Sequence, residues 1–275
     1  MKLVLSILLL LAFVQLRGQE PIEVKIEDRP SSLGVYPAFE VLVPQATTGE
    51  AIDFLKKTIG SRGLFKRNPK LEKVKDEWHV DDVLINSITS KPLDLITQIS
   101  SFPGHIYVRM FFQNNGKFLG AESDTLQATE AALEFVREYG VDLYILAVEK
   151  ELKEEERELR KLEKDLKRLS RQNNNYEEKI DDAQSEQKTL DDETDYQRAD
   201  LRNAKRSEEV SGEALEEMEK ELKSAEKELK KAKRYEARFE RKSDKNEKEH
   251  REISRLVSKQ EEVIERVKEK LENIR

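Results

Sequence analysis

The chain has 275 residues, a formal net charge of −7 and no cysteine. The absence of thiols excludes disulfides, thiolate metal sites, thiol catalysis and a lipid anchor carried on a lipobox cysteine. Both halves share the acidic balance, so the basic excess on which nucleic-acid affinity rests is missing and no nucleic-acid partner is expected.

Residues 1–19 read as a secretory signal peptide. Lys2 is a minimal basic n-region, residues 3–16 form an apolar run broken only by Ser6 and Gln15, and Arg17-Gly18-Gln19 places a small residue near a cut. That run is shorter than the roughly 20 residues that span a bilayer. A secreted or periplasmic protein is expected, with no transmembrane segment in the mature chain.

Residues 20–145 have the composition of a small globular domain and hold the only tryptophan, Trp78. Residues 20–29 alternate Ile22, Val24 and Ile26 with charge, which predicts an edge strand; 30–34 form a turn, and 35–43 a better strand stopped by Pro44. Thr48-Gly49-Glu50 opens a helix over 51–59, with Ile52, Leu55 and Ile59 on one face and Gly60 at its end. A short strand through Leu64 and Phe65, a turn at Asn68-Pro69 and two strands at 74–80 and 83–89 follow. Lys91-Pro92 leads into 93–100, and Pro103-Gly104 turns the chain into 106–112, the clearest strand, which Asn114-Asn115-Gly116 ends. Ser123 or Asp124 caps a helix burying Leu126, Thr129, Ala132, Leu133, Val136 and Tyr139, with Gly140 a candidate kink.

The order strand, helix, four or five strands, helix predicts an α+β fold, a small antiparallel sheet packed on helices. That order is similar to helix-grip folds, TATA-binding-protein-like ones included, at the level of fold alone. Such sheets serve binders, carriers and enzymes alike.

Residues 146–275 are a coiled coil. Counted in alternating steps of three and four, one seam runs from Leu159 to Ile274 without insertion or deletion, and 23 of its 34 positions are apolar or tyrosine. Only Glu208 and Glu236 are charged there, although 70 of the 125 residues from Glu151 onward are charged. The polar seam positions Asn173, Gln187, Gln197, Glu208, Ser211, Asn246 and Gln260 restrict register and partner number.

Two arrangements satisfy this seam. A continuous rod, favoured by the unbroken register and the absence of proline, needs a second chain, hence self-association or another coiled-coil protein as partner. A hairpin turning near 207–212, where Gly212 is the coil's only glycine, needs none. Folding at residue 209 sets acidic 177–200 beside basic 223–242 and brings Asn173 near Asn246.

No phosphate loop, nucleophile elbow, zinc or calcium motif is present. His79, in Trp78-His79-Val80-Asp81-Asp82, is the one histidine with company; in a strand it shares a face with Asp81, a pattern suited to metal or acid–base work. The plain reading, a strand end beside a solvated acidic turn, is favoured. His105 is a turn residue, His250 a polar seam layer, and Asp181-Asp182 and Asp191-Asp192 are solvated helix faces, since successive helical residues diverge by about 100°. No catalytic, cofactor-binding or metal-binding residue is assigned. The expectation is an exported interaction or scaffold protein with a small globular binding domain and no enzymatic activity. The alternative is a helix-grip carrier of apolar ligands, or an enzyme, recognisable by a hollow between sheet and helix.

Overall fold

The computed structural model describes residues 22–59, 70–121, 126–207 and 210–274. The chain divides into two compact units, one reaching to Leu152 and including Val267–Arg275, the other Lys153–Arg266. The signal segment, the strand at Leu64 and Phe65, the turn at Asn68-Pro69, the helix end at Gly60 and the cap at Ser123 or Asp124 lie outside the described residues.

The first unit is built on an antiparallel sheet. Its strands are β1 (Val24–Ser31), β2 (Gly34–Pro44), β3 (Glu72–Val74), β4 (Glu77–Val83), β5 (Leu93–Phe102), β6 (His105–Asn114) and β7 (Lys117–Phe118). They lie in the order β1-β2-β6-β5-β4-β3, with β7 paired to β6. Helix α1 (Thr48–Ile59) follows β2. Thr47 caps it in a reciprocal box: its Oγ1 accepts from the Glu50 N–H at 3.3 Å, while Glu50 Oε2 accepts from the Thr47 N–H at 2.9 Å. Two expectations change here. Residues 84–90 form a turn in which the Ile88 N–H donates to Ile85 O, so the second strand expected at 83–89 is absent and Ile85 and Ile88 are buried instead. Asn115 (φ 50°) and Gly116 (φ 80°) do more than end β6: they make a tight hairpin into β7.

Strand alternation puts Phe39, Val41 and Val43 of β2 opposite Met110, Val108 and Ile106 of β6, and Leu95 and Thr97 of β5 beside them. This face is buried against α1 and the start of α2 (Leu126–Arg206). Tyr139 ties the two helices together, donating its hydroxyl to Ala51 O at 2.6 Å, with its ring 5.3 Å from that of Phe54. Phe135 meets Phe112 edge-on. Leu126, expected on this buried side, is 73% exposed at the helix's first turn. α2 continues through Gly140. Helix and sheet approach closely at this glycine, since a Cβ there would stand 2.8 Å from Val41 Cγ2 and 3.2 Å from Ile22 Cγ2. The last turns of α3 (Gly212–Ile274) belong to this unit too. Lys270 Nζ pairs with Glu151 at 3.0 Å, donates to Gln45 Oε1 and lies over the Tyr144 ring.

The second unit is an antiparallel pair of helices, α2 running out and α3 running back. Of the two arrangements open to the seam, the chain adopts the hairpin, and the rod is set aside. Gln260 donates to Glu155 O, Asn246 to Leu169 O, and Gln184 and Gln187 to Glu236; Arg198 pairs with Glu226 and Lys205 with Glu219. These partners are disposed about the break between Arg206 and Gly212. The Ser207 N–H closes α2 on Asn203 O and Ala204 O, and Ser211 Oγ accepts from the Ala214 N–H to start α3. Every described seam position except Ser211 is buried or half-buried, so the apolar line is covered within one chain. Closing a short loop costs far less entropy than capturing a second chain, and acidic 177–200 comes to lie beside basic 223–242. The requirement for a coiled-coil partner lapses with the rod.

Polar residues set the register of this pair. Asn246 is buried and spends its amide on Leu169 O and Asn173 Oδ1, while Ser243 Oγ donates to Asn173 Oδ1 at 3.1 Å. His250 Nε2 meets Ser170 Oγ at 3.1 Å in the adjoining layer, as a seam histidine should. A one-turn slip would bury these groups against leucines without partners. One layer on, Tyr176 packs on Phe239.

Gly140 gives a direct test of the helix–sheet contact. Gly140→Ala raises intrinsic helix propensity by about 1 kcal/mol, yet forces a methyl into stiff, fully buried Val41. The net expectation is a destabilisation of about 1–2 kcal/mol, read as a lower melting temperature by near-ultraviolet circular dichroism. A higher melting temperature would show that the contact is loose.

Candidate functional site

The sheet face turned away from the helices carries the polar chemistry. Register alone assembles it: Glu40 of β2 lies opposite Arg109 of β6, Arg109 opposite Gln98 of β5, and Gln98 opposite Glu77 of β4. Two carboxylates in this row are buried, Glu40 at 8% exposure and Glu77 at 5%. Such burial is tolerable only with full hydrogen bonding. Glu40 receives the Arg109 guanidinium through Nε and the Arg29 guanidinium at 3.3 Å, and Arg109 also donates to Ser100 Oγ.

Glu77 is the acceptor that holds down the β1–β2 hairpin. Its Oε1 accepts from the Ser32 N–H at 2.9 Å and from Gln98 Nε2 at 2.8 Å, and Oε2 lies 2.9 Å from His79 Nε2. Gln98 Nε2 also donates to Pro30 O at 2.8 Å. Burial pushes the Glu77 carboxyl up, but the donors Ser32, Gln98 and His79 together outweigh it and hold the group below its ordinary value of 4.5. Beneath the hairpin a small second core forms from Ala38, Ile96, Phe111 and Phe118, with Tyr36 stacked on Phe118 at 3.9 Å between centroids.

His79 therefore has a carboxylate partner, but it is Glu77. No hydrogen bond or ion pair joins it to Asp81 or Asp82 among the described residues. The alternation is broken by an irregularity between Val80 and Val83, where Asp82 takes φ 54° and its N–H turns to Asp94 Oδ1. Ser32 Oγ is 3.4 Å from the same His79 nitrogen. This is not a nucleophilic triad. A triad needs the acid on one ring nitrogen and the hydroxyl on the other. Here the nitrogen that faces an ionised, acceptor-only carboxylate carries its proton there, and has no lone pair left to take the hydroxyl's. The cluster latches a hairpin to a sheet; it does not activate an oxygen.

The remaining candidates stay apart. His105 does not stand alone in its turn: it stacks on Phe102 at 5.4 Å, with Tyr107 edge-on to both rings. With Leu42 opposite Tyr107, this leaves an apolar patch on the outer face, Phe102 being 49% and Leu42 38% exposed. The signal for it was in the sequence, because a two-residue turn at Pro103-Gly104 makes Phe102 and His105 direct partners. Asp181, Asp182, Asp191 and Asp192 are exposed on α2, with Asp191 3.5 Å from Lys233. Among the described residues no three His, Asp or Glu side chains converge as a metal cage, and no helix is long and apolar enough to cross a membrane. Two open recesses lie on the helical pair, rimmed by charged side chains such as Lys179, Asp182 and Glu186 in one and Lys164, Asp165 and Arg168 in the other. Compared with protein-family models, with curated proteins and with solved structures, the chain finds no match.

The latch has a defined pH dependence. Because the folded carboxyl of Glu77 lies below 4.5, its contribution is complete above that value and is lost as pH falls through the lower, folded one. Glu77→Gln is expected to lower stability at neutral pH, since the charge-assisted bonds go, by about 1–3 kcal/mol. The gap to the unsubstituted chain should close as urea unfolding is repeated down to about pH 3. A gap that stays constant over that range would refute the ionised latch.

Proposed function

We propose that this chain is an exported interaction or scaffold protein. In this reading residues 1–19 are its signal peptide, the sheet unit is a binding head, and the hairpin is a coiled-coil arm that gives it reach in the periplasm or outside the cell. The partner is a protein, engaged through the exposed Phe102, Tyr107 and Leu42 patch rather than drawn into the interior.

The observation that carries the reading is the filled space beneath the sheet. A carrier of the helix-grip kind holds its ligand between sheet and helix. Here that space is taken by Phe39, Phe112, Met110, Leu55, Tyr139 and Leu143, all essentially without solvent exposure. Among the described residues, close packing of side chains of this size supports a filled core over a ligand cavity. The polar cluster on the other face is committed to its own hairpin, which supports a binding role over a chemical one.

Native mass spectrometry of the exported full chain tests this. The expected mass is that of the polypeptide beginning close to Glu20, with no stoichiometric small molecule attached. An apolar compound retained one per chain would move the reading to a carrier, and a mass beginning at Met1 would remove the export step.

A further inference from the structure

The seam defines which rows of α3 face outward, and those rows are not chemically neutral. In the seven-residue period, three positions lie farthest from the partner helix. Between Lys220 and Lys259 there are eighteen such positions, all exposed except the half-buried Ala237; thirteen are lysine or arginine and two, Asp244 and Glu252, are acidic. The outermost row alone, one residue per period, reads Lys220, Lys227, Arg234, Arg241, Lys248, Arg255, basic without exception. The rows flanking the seam carry opposing charge, with six acidic residues against Lys233 and Lys242. The segment as a whole is basic, with 15 basic against 9 acidic residues, and its basic groups are concentrated on the outward rows.

A merely solvated helix face has no reason to be built so. Alternating signs at i and i+4 stabilise a helix by a few tenths of a kcal/mol per pair, and like signs cost as much. Yet Lys223 and Lys227, Lys227 and Lys231, Lys230 and Arg234, and Arg234 and Arg238 are all like-charged i,i+4 neighbours. Lys227, Lys230, Arg234, Arg238 and Arg241 have no acidic group within ion-pair distance among the described residues. On α2 the outward rows begin basic over 157–171 and turn acidic over 178–195, so only α3 carries a basic edge along its length.

We infer that the outward edge of α3 over residues 220–259 is a docking surface for an anionic lipid membrane, bound flat and reversibly by electrostatics. The edge is about 60 Å long at 1.5 Å per residue and, as the outer surface of a helix, convex in cross-section. A plane meets such an edge along its whole length, whereas a duplex crossing it meets only a few phosphates. A polymer that wraps the helix would run onto the acidic flanking rows. The three outward rows carry no aromatic ring on which bases could stack and no large apolar side chain that could insert; Tyr235, 45% exposed, lies in a flanking row edge-on to Phe239, which leaves charge as the main attraction. The inference needs only the helical pair, and stands whether or not the sheet unit binds a protein.

Co-sedimentation of the full chain with vesicles tests it. Binding is expected to phosphatidylcholine vesicles containing about 30% phosphatidylglycerol at low salt and not to phosphatidylcholine alone, with release as screening shortens the reach of the charges. Lys227→Glu, Arg234→Glu and Arg241→Glu together should weaken binding at least tenfold with helicity retained. Lys188→Glu, Arg202→Glu and Arg206→Glu, the same charge change on the outward rows of α2, should leave it within a few-fold. If the first triple loses helix, glutamine at the same three positions replaces it with the same expectation. Equal loss in the two triples, equal binding to neutral vesicles, or tighter binding to duplex DNA than to anionic vesicles would each overturn the assignment.

Discussion

A helix in which more than half of the residues are charged cannot hold its shape in water on propensity alone; its apolar line must be covered. That requirement organises residues 153–266. The seam from Leu159 onward has one continuous register, and the chain covers it with itself by breaking between Arg206 and Gly212 and returning. Everything else in the unit is subordinate to that pairing. The polar layers at Asn173, Ser243, Asn246 and His250 fix which turn faces which, and Arg198–Glu226 and Lys205–Glu219 tie the pair near its turn. The outward rows, freed from packing, are left to carry other information.

The sheet unit answers the same demand for burial by other means. One face of the sheet is closed by α1 and the first turns of α2, so close at Gly140 that a methyl there would crowd Val41. The other face is too polar to bury against a helix, and a hairpin from its own edge folds over it, held by one carboxylate, Glu77, through backbone and side-chain donors. Backbone groups of the hairpin tip find their partners in side chains of strands far away in sequence.

Much of the fold was legible because its signals are local. The alternation at 35–43, the run at 106–112 with its Pro-Gly and Asn-Gly flanks, and the three-and-four spacing of the seam each name an element within a dozen residues. What could not be read is set by long-range geometry. The row Glu40, Arg109, Gln98, Glu77 exists only because four strands happen to be in that register, and Glu77 looks like any surface glutamate until Ser32, 45 residues away, is laid on it. His79 is visible as a candidate beside Asp81 and Asp82, but nothing local announces that its partner is Glu77 or that Asp82 takes a positive φ and breaks the alternation. Rod and hairpin were indistinguishable because the seam keeps its count through Ala204, Ser211 and Leu215, as a straight helix would. The basic character of 223–242 is legible along the chain, but its gathering onto the outward edge of α3 emerges only when charges are sorted around the helix.

Intrachain pairing of α2 with α3 is the claim on which this account rests, and a chain without cysteine is well suited to testing it with paired spin labels. Labels at Glu155 and Gln260, and in a second sample at Arg198 and Glu226, should give short distances, about 10–20 Å across neighbouring helices, in a protein diluted with a large excess of unlabelled chain. In a continuous rod residues 155 and 260 would stand about 160 Å apart. A short distance that disappears on dilution with unlabelled chain, or none at all for the 155–260 pair, would contradict the hairpin.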